Sequence, residues 1–472
     1  MDFKYERGYV LKPTSTILAE LENYLKRESL TLAQFAERSG LHSGTLSNLL
    51  HGHRPIAMHQ LDQITKGMGL SEGFYYDMYI DNYIIEGSPD WRRIGPLLHR
   101  CAELDKLDSI RSVVQHIMDN LMYSSMLFTT AEELLKLGRR EAATLLYESV
   151  SEGEKFQHSE RLALCQYRLF ILYLGQSQDA NLRIANRFEP FVERLDEADQ
   201  LDALKHLADV FSSLHRWDKV NELAQLLEQK ASVQYKFWKK ESFQKRPVRP
   251  YIYYILYSNL LRSLVYDENG DYEKALYYAS LYSEMSWVKA PYTEDEQRVM
   301  EQFKEWAKAN TYLYRLMTGQ VEVMPDYLQY VESNENEIFP ALFKIMQAAN
   351  RYKFNVDHIL QRFDSHLSYK TQRSRLGEFN QQLTGDRYIR FLTELAIYHL
   401  AAQKFDIGFH YLLESLESCV KIRSNSNIVR CVGLFEKYRE VALLEHKKLY
   451  SNLISEVQRN NEEEDCFIAG SS

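Results

Sequence analysis

Glycine and proline are scarce in this chain, 19 and 10 of 472 residues, about half of average usage. Sandwiches, barrels and glycine-rich nucleotide folds need many tight turns, so their absence is expected. Five cysteines (Cys101, Cys165, Cys419, Cys431, Cys466) lie far apart, odd in number and without a Cys-x-x-Cys pair. A disulfide framework or structural zinc site needs denser, paired spacing, so these read as reduced thiols in helix cores. No stretch approaches the ~18 apolar residues of a membrane span, and MDFKYERGYV lacks the basic cap and apolar run of a signal peptide. A cytoplasmic protein without membrane contact is expected. Excess charge is also missing: 57 Lys+Arg against 66 Asp+Glu give a formal −9. That excludes a histone-like polyanion binder but leaves room for a small DNA-reading module.

Catalytic signatures are missing too. There is no Walker A, HExxH or GxGxxG pattern. Gly69-Leu70-Ser71-Glu72-Gly73 matches G-x-S-x-G, but a helical pattern precedes it where a nucleophile elbow needs a strand. Asp267 to Asp271 is similar to a calcium loop, yet its glycine is misplaced and Tyr278 stands where the bidentate glutamate belongs. A non-enzyme without cofactor, metal site or catalytic residues is expected.

What remains is helix. Apolar residues at 45% and aromatics at 13% can bury a large core, and this length suits two or three units. Ile17, Leu18, Leu21 and Leu25 form one apolar stripe between Ser15 and Ser29. Thr31 and Gln34 then have capping-box spacing, and Gly40 closes that helix in the left-handed region. A third helix is predicted over about Ser43 to Leu50, stopped by Gly52 and Pro55, and a fourth over roughly Met58 to Gly67. Two helices joined by a three- or four-residue turn containing glycine are a helix-turn-helix. The run TLAQFAERSGLHSGTLSNLLHGHRP resembles the Xre/Cro/lambda-repressor family over about 55 residues. The likeness rests on Leu32, Gln34, Ala36, Gly40-Leu41, Thr45-Leu46-Ser47 and Gly52-His53-Arg54-Pro55.

Such proteins lay the second helix of the motif in the major groove. By position Ser43, Gly44, Thr45 and Asn48 face bases: Asn48 pairs bidentately with adenine, and Gly44 lets the backbones approach. Gln34, Ser47, His53 and Arg54 are placed to hold phosphates, with capping-box closure the competing role for Gln34. The histidines His42, His51, His53 and His59 have no metal-ligand spacing. From Lys26 to Leu70, five basic residues (Lys26, Arg27, Arg38, Arg54, Lys66) face three acidic ones (Glu28, Glu37, Asp62), a net of +2. One module should therefore bind DNA weakly; a homodimer on half-sites about 34 Å apart doubles the contacts.

After residue 80 a turn unit recurs, with anchors at 138, 175, 215, 270, 319 and 403. Leu137-Gly138-Arg139-Arg140-Glu141-Ala142-Ala143 and Asn269-Gly270-Asp271-Tyr272-Glu273-Lys274-Ala275 are the clearest copies. Intervals of 37 and 40 residues suit one helix pair, the interval of 84 suits two, and that of 55 needs an insertion, KFWKKESFQKRPVRPY. A helix-pair repeat of about 34 residues with glycine at its turn resembles the tetratricopeptide repeat, an α-solenoid with a concave inner face. The expected fold is all-α, a small helix-turn-helix domain followed by that solenoid. Expected boundaries are 1–72 for the DNA module, 73–96 for a helical linker, 97–460 for the peptide-sensing and dimerisation repeats, and 461–472 for a frayed acidic tail.

Gln166, His206 and Asn310 each stand nine residues before a turn anchor, and Asn259 matches if its longer turn absorbs two residues. In peptide-binding tetratricopeptide domains that position clamps the ligand backbone; Arg262, one turn on from Asn259, is placed to pair a peptide carboxylate. Tyrosines between Tyr251 and Tyr282 are candidate groove walls or inter-helix packing. The whole arrangement resembles the RRNPP class of bacterial cytoplasmic pheromone receptors. This resemblance implies a homodimeric transcription regulator of the quorum-sensing type, with a DNA operator and a short signalling peptide as partners. The alternative is a peptide-regulated adaptor that sequesters a protein and carries a vestigial helix-turn-helix.

Overall fold

A computed structural model describes residues 16–175, 177–237, 245–289, 291–367, 381–422 and 424–469. The described residues are helical throughout, without a strand. They form two compact units that divide between Tyr173 and Leu174.

The first unit contains α1 (Ile17–Arg27), α2 (Leu32–Ser39), α3 (Ser43–Leu50), α4 (Met58–Gly67) and α5 (Tyr76–Ile80), which runs into a π-helical turn at Asp81–Ile85. It continues with α6 (Trp91–Glu103), α7 (Leu107–Ile117), α8 (Ser124–Lys136), α9 (Arg140–Gly153) and α10 (Glu160–Tyr173). The first four helices lie where period and caps place them. Thr31 Oγ1 accepts from Gln34 N at 3.3 Å while Gln34 Oε1 accepts from Thr31 N at 2.8 Å, completing the capping box. Gly40 ends α2 at φ +72°, a conformation that costs a residue bearing Cβ.

Residues 73–96, the expected linker, pack into the same core as the first four helices. One apolar cluster runs without interruption from Ile17 to Leu169, and Tyr76, Tyr79, Ile84 and Ile94 sit in it fully buried. The reason is aromatic: Tyr75, Tyr76 and Tyr79 supply too much apolar surface to remain in water. Their hydroxyls are also used, Tyr76 donating to Asp62 Oδ1 at 2.7 Å and Tyr79 to the Ile56 carbonyl at 2.8 Å. Arg100 of α6 adds Nε to Asp62 Oδ2 at 2.9 Å. The first four helices are thus bolted to α5 and α6.

The second unit contains α11 (Gln178–Phe188), α12 (Glu197–Ser213), α13 (Trp217–Phe237), α14 (Tyr251–Glu268), α15 (Tyr272–Ser283), α16 (Glu294–Met317) and α17 (Met324–Glu332). After these come α18 (Glu335–Tyr352), α19 (Asp357–Arg362), α20 (Gln381–Ala401), α21 (Phe405–Lys421), α22 (Asn425–Lys437) and α23 (Leu444–Ala469). Successive helices pack on one another, α12 on α13, α13 on α14, α14 on α15 and α20 on α21. The expected tail at 461–472 continues as helix to Ala469; its last three residues lie outside the described ones.

The turns share one geometry. Gly138, His215, Gly270, Gly319 and Gln403 all have positive φ, between +53° and +90°. The residue after each donates to the carbonyl five before it, as in Arg139 to Leu134, Arg216 to Phe211 and Asp271 to Tyr266, each 2.9 Å. Gly175 is not among them. Asp105 at +53° has the same bond, Lys106 to Cys101 at 2.8 Å; Lys353 at +62° is also left-handed, but there its own N–H donates to the Ala349 carbonyl four before it, at 2.8 Å. Lys353 divides the 84-residue interval into 34 and 50, in keeping with two repeats there.

Candidate nucleic-acid interface and the buried polar seams

The α2–α3 corner is held from beneath by α4. Gly67 lies against α2 so closely that a Cβ there would stand 2.7 Å from Ser39 Cβ and 3.0 Å from the Phe35 ring. Gln63 Nε2 donates to the Gly40 carbonyl at 3.3 Å, fixing the turn itself. Phe35, Leu46, Leu49, Leu61 and Ile64 form the core between the helices, each at most 1% exposed.

With Leu46 and Leu49 turned inward, helical register turns Ser43, Gly44 and Asn48 outward, and all three are exposed; Thr45 and Ser47 are half-buried at the edges. His42 occupies the cap position of α3 without a side-chain bond to the first turn. A positive helix end with outward amides is thereby presented beside Ser43 and Gly44. A Cβ on Gly44 would meet nothing within 4 Å, so no internal contact requires glycine there. His51 Nδ1 lies 2.7 Å from the Ser47 carbonyl, and its ring stacks on His53 with centroids 6.0 Å apart. His53 and Arg54 are exposed beyond the helix end. Gln34 has its amide oxygen engaged in the capping box, while the amide nitrogen takes no part in it. Of the three acidic residues in the module, Asp62 pairs with Arg100 of α6, which also meets Glu72 and Glu103.

Most of the residues expected to clamp a peptide are buried. Gln166, Asn259 and Asn310 are only 7%, 4% and 8% exposed. Gln166 Nε2 donates to Ser151 Oγ of α9, and Asn310 Nδ2 to the Tyr282 hydroxyl of α15 at 2.8 Å. Each reaches the helix preceding its own, so these two amides serve an inter-pair seam. Asn259 Nδ2 donates to the Ile255 carbonyl of its own helix at 3.0 Å. Arg262 follows the seam pattern, with Nη1 3.4 Å from Glu228 of α13 and its guanidinium 4.3 Å over the Tyr278 ring. Gln166 belongs to the first compact unit and the other four to the second.

His206 sits in a polar stripe that residue-by-residue reading missed. On α12, Asp199, Asp202, His206 and Asp209 recur at intervals of three and four, so they share one face. Opposite them Tyr254 donates to Asp202 and Tyr257 to Asp209. Lys245 pairs with Asp196 at 2.9 Å and also with Asp199, while Val248 N donates to Asp202 Oδ2 at 3.0 Å. The basic insertion therefore has at least one cation tied to its own scaffold; its residues 238–244 lie outside the described ones. Burial raises the Asp202 and Asp209 carboxyls above the usual range. Burial, helped by the Lys205 ammonium, pushes the His206 imidazole down to about 4. The acid spacing on α12 and the Tyr254/Tyr257 spacing on α14 were the available signals. The Asp267–Asp271 stretch is likewise internal: Asp267 pairs with Lys344, and Asp271 caps α15 through Lys274 N at 3.1 Å.

Among the described residues no helix is long and apolar enough to cross a membrane. Comparison with known proteins finds no matching family model, no matching curated protein and no matching solved structure.

Proposed function

We propose that this chain is a cytoplasmic DNA-binding transcription regulator of the Xre type. In this reading α3 enters the major groove, and residues 97–460 are a tetratricopeptide-like repeat scaffold that binds a short signalling peptide. The observation that carries the reading is the exposed row Ser43, Gly44 and Asn48 over a buried Leu46–Leu49 stripe, with unfilled space at Gly44. A helix of purely structural purpose gains nothing from glycine in its first turn, whereas a backbone that must approach a base edge does. The shared left-handed turns at 138, 215, 270, 319, 353 and 403 support the repeat half. A peptide acts here through differential affinity for two shapes of the scaffold, about 1–3 kcal/mol sufficing to switch DNA affinity. Dimerisation follows from the small positive charge, since one module contacts few phosphates.

The test is selection of bound duplexes from a random pool at low salt, followed by gel shifts with Asn48→Ala and Arg54→Ala. The reading requires altered base preference in the first and uniformly weaker binding with a shallower salt slope in the second. Failure of the wild type to retain any duplex at low salt favours a second reading, a peptide-regulated protein-binding adaptor. The low charge of the module, with Arg27 already paired to Glu28 at 3.1 Å, is the observation on that side. For the ligand half, calorimetry of the full-length protein with a library of short synthetic peptides is the direct measurement.

A further inference from the structure

Residues 245–250 of the basic insertion lie against the first turns of α12 and are held there much as a peptide is held by a receptor. Lys245 pairs with Asp196 at 2.9 Å and with Asp199. Three residues on, the Val248 amide donates to Asp202 Oδ2 at 3.0 Å, and the next amide, that of Arg249, donates to the Tyr254 hydroxyl at 3.1 Å. Tyr254 in turn donates to Asp202 Oδ1, so one tyrosine–aspartate pair captures two consecutive backbone N–H groups. The Arg249 guanidinium stands 5.8 Å from the centre of the Tyr253 ring. Asp199 and Asp202 are 8% and 6% exposed, and Tyr254 is fully buried. The segment they hold stays outside, with the Lys245 side chain 52% exposed and Val248 82%. Enclosing carboxylates is unfavourable unless each is compensated. Two such carboxylates are a heavy cost for docking a loop whose own side chains remain in water.

We propose that this end of α12, together with Tyr254 of α14, is a receptor site for short cationic peptides, and that residues 245–250 occupy it in cis as an internal competitor. Such a site deepens the peptide-binding half of the proposed function and rests on it, since it names the chemistry of the ligand and a means of regulation. The ligand carries a lysine and, three and four residues after it, two free backbone amides. Its ammonium takes the place of Lys245 at Asp196 and Asp199, and its amides go to Asp202 and Tyr254. Capture of the amides requires no particular side chain at those two positions, but it excludes proline there, which has no N–H. A carboxylate in place of the lysine meets two like charges and is rejected. Because the competitor belongs to the same chain, its effective concentration is on the order of millimolar at any protein concentration. A peptide present in excess, or one that makes further contacts, displaces it. The displaced segment leads directly into Tyr251, the first residue of α14, so occupancy bears on the start of a scaffold helix.

The test adds the fluorescein-labelled peptide Lys-Arg-Pro-Val-Arg-Pro, the sequence of residues 245–250, to the full-length protein and reads anisotropy. Lys245→Ala removes the competitor's charge and is expected to capture the peptide about tenfold more tightly than the wild type does. Adding Asp199→Asn to that variant should abolish the gain, and a peptide with glutamate in place of its lysine should not bind. A Lys245→Ala protein that binds no better than the wild type overturns the proposal, and so does a gain that survives Asp199→Asn. The wild type supplies a second measurement that needs no variant. Hydrogen exchange at the Val248 and Arg249 amides is expected to quicken when the peptide is added in large excess; unaltered protection with the peptide bound overturns the proposal. Capture of this peptide by a protein that retains no duplex supports the cis competitor and removes the DNA reader. Capture of other library peptides with both amides still protected keeps the scaffold as a receptor and removes the cis competitor.

Discussion

Lys344 of α18 places its ammonium 2.8 Å from a carboxylate oxygen of Asp267 at the end of α14, reaching past the intervening α16. Both side chains are nearly enclosed, 13% and 5% exposed. A second tie runs beside it, Glu268 of α14 to Arg390 of α20 at 3.8 Å. Burial works to strip the Lys344 proton, but the carboxylates of Asp267 and Glu268 outweigh it and hold its pKa above the usual lysine value. Helices distant in sequence are thus drawn together by charge within the second unit.

Removing one partner should cost more than removing both, since a lone buried charge has lost its compensation. Lys344→Met is expected to destabilise the second unit by about 3–5 kcal/mol. The double variant Lys344→Met/Asp267→Leu should recover a large part of that. Urea unfolding followed by circular dichroism measures both; a double variant as unstable as the sum of its parts refutes the pairing.

Two glycines of the first unit separate folding from recognition. Gly67→Ala forces a Cβ into Ser39 and Phe35, atoms of a packed core that have little room to retreat, and is expected to lower stability. Gly44→Ala adds a methyl group in open space within a helix and should raise stability by about 0.5–1 kcal/mol. On the proposed reading the same Gly44→Ala weakens duplex binding, because its methyl group then stands between the backbone of α3 and the groove. Gain of stability with unaltered DNA affinity shows that this face of α3 is not the reading surface.

Much of the first unit was legible because caps and turns are local: Thr31, Gln34 and Gly40 announce their geometry through their own chemistry. The packing of residues 73–96 was hidden because Tyr76 and Tyr79 look like any exposed aromatics until Asp62 and Ile56, far away in sequence, come to meet them. Turns at glycine were visible, whereas Asp105 and Lys353 adopt the same left-handed backbone with side chains that rarely signal it. For Gln166 and Asn310 a shared register is legible in the sequence, but not the partner each amide meets. That depends on which neighbour packs against the helix, and a single sequence does not state it.

The seam therefore carries its own expectation. Asn310→Ala deletes the amide that serves the buried Tyr282 hydroxyl and should cost about 1–3 kcal/mol of stability. Gln166→Ala should do the same through Ser151. Thermal unfolding reads both. If either variant melts as the wild type does and loses only ligand affinity, the side chain is serving a groove after all.

The α12 stripe makes the second unit sensitive to acid in a definite direction. An unfolded imidazole titrates near 6.5, while that of folded His206 is held at about 4 by burial and by Lys205. Between those values the unfolded chain takes up a proton that the folded one refuses, so stability falls as pH drops through this window and levels off below it. The raised carboxyls of Asp202 and Asp209 act with the opposite sign, since the folded state there holds its protons more tightly than the unfolded one. Their contribution is common to the wild type and to His206→Gln, which isolates the imidazole. The variant should lose less stability than the wild type between pH 7 and pH 5, read as the shift of the urea midpoint. Equal shifts in the two proteins would mean that the folded imidazole accepts its proton as readily as the unfolded one, and that the stripe has more water around it than the packing of Tyr254 and Tyr257 on α12 allows.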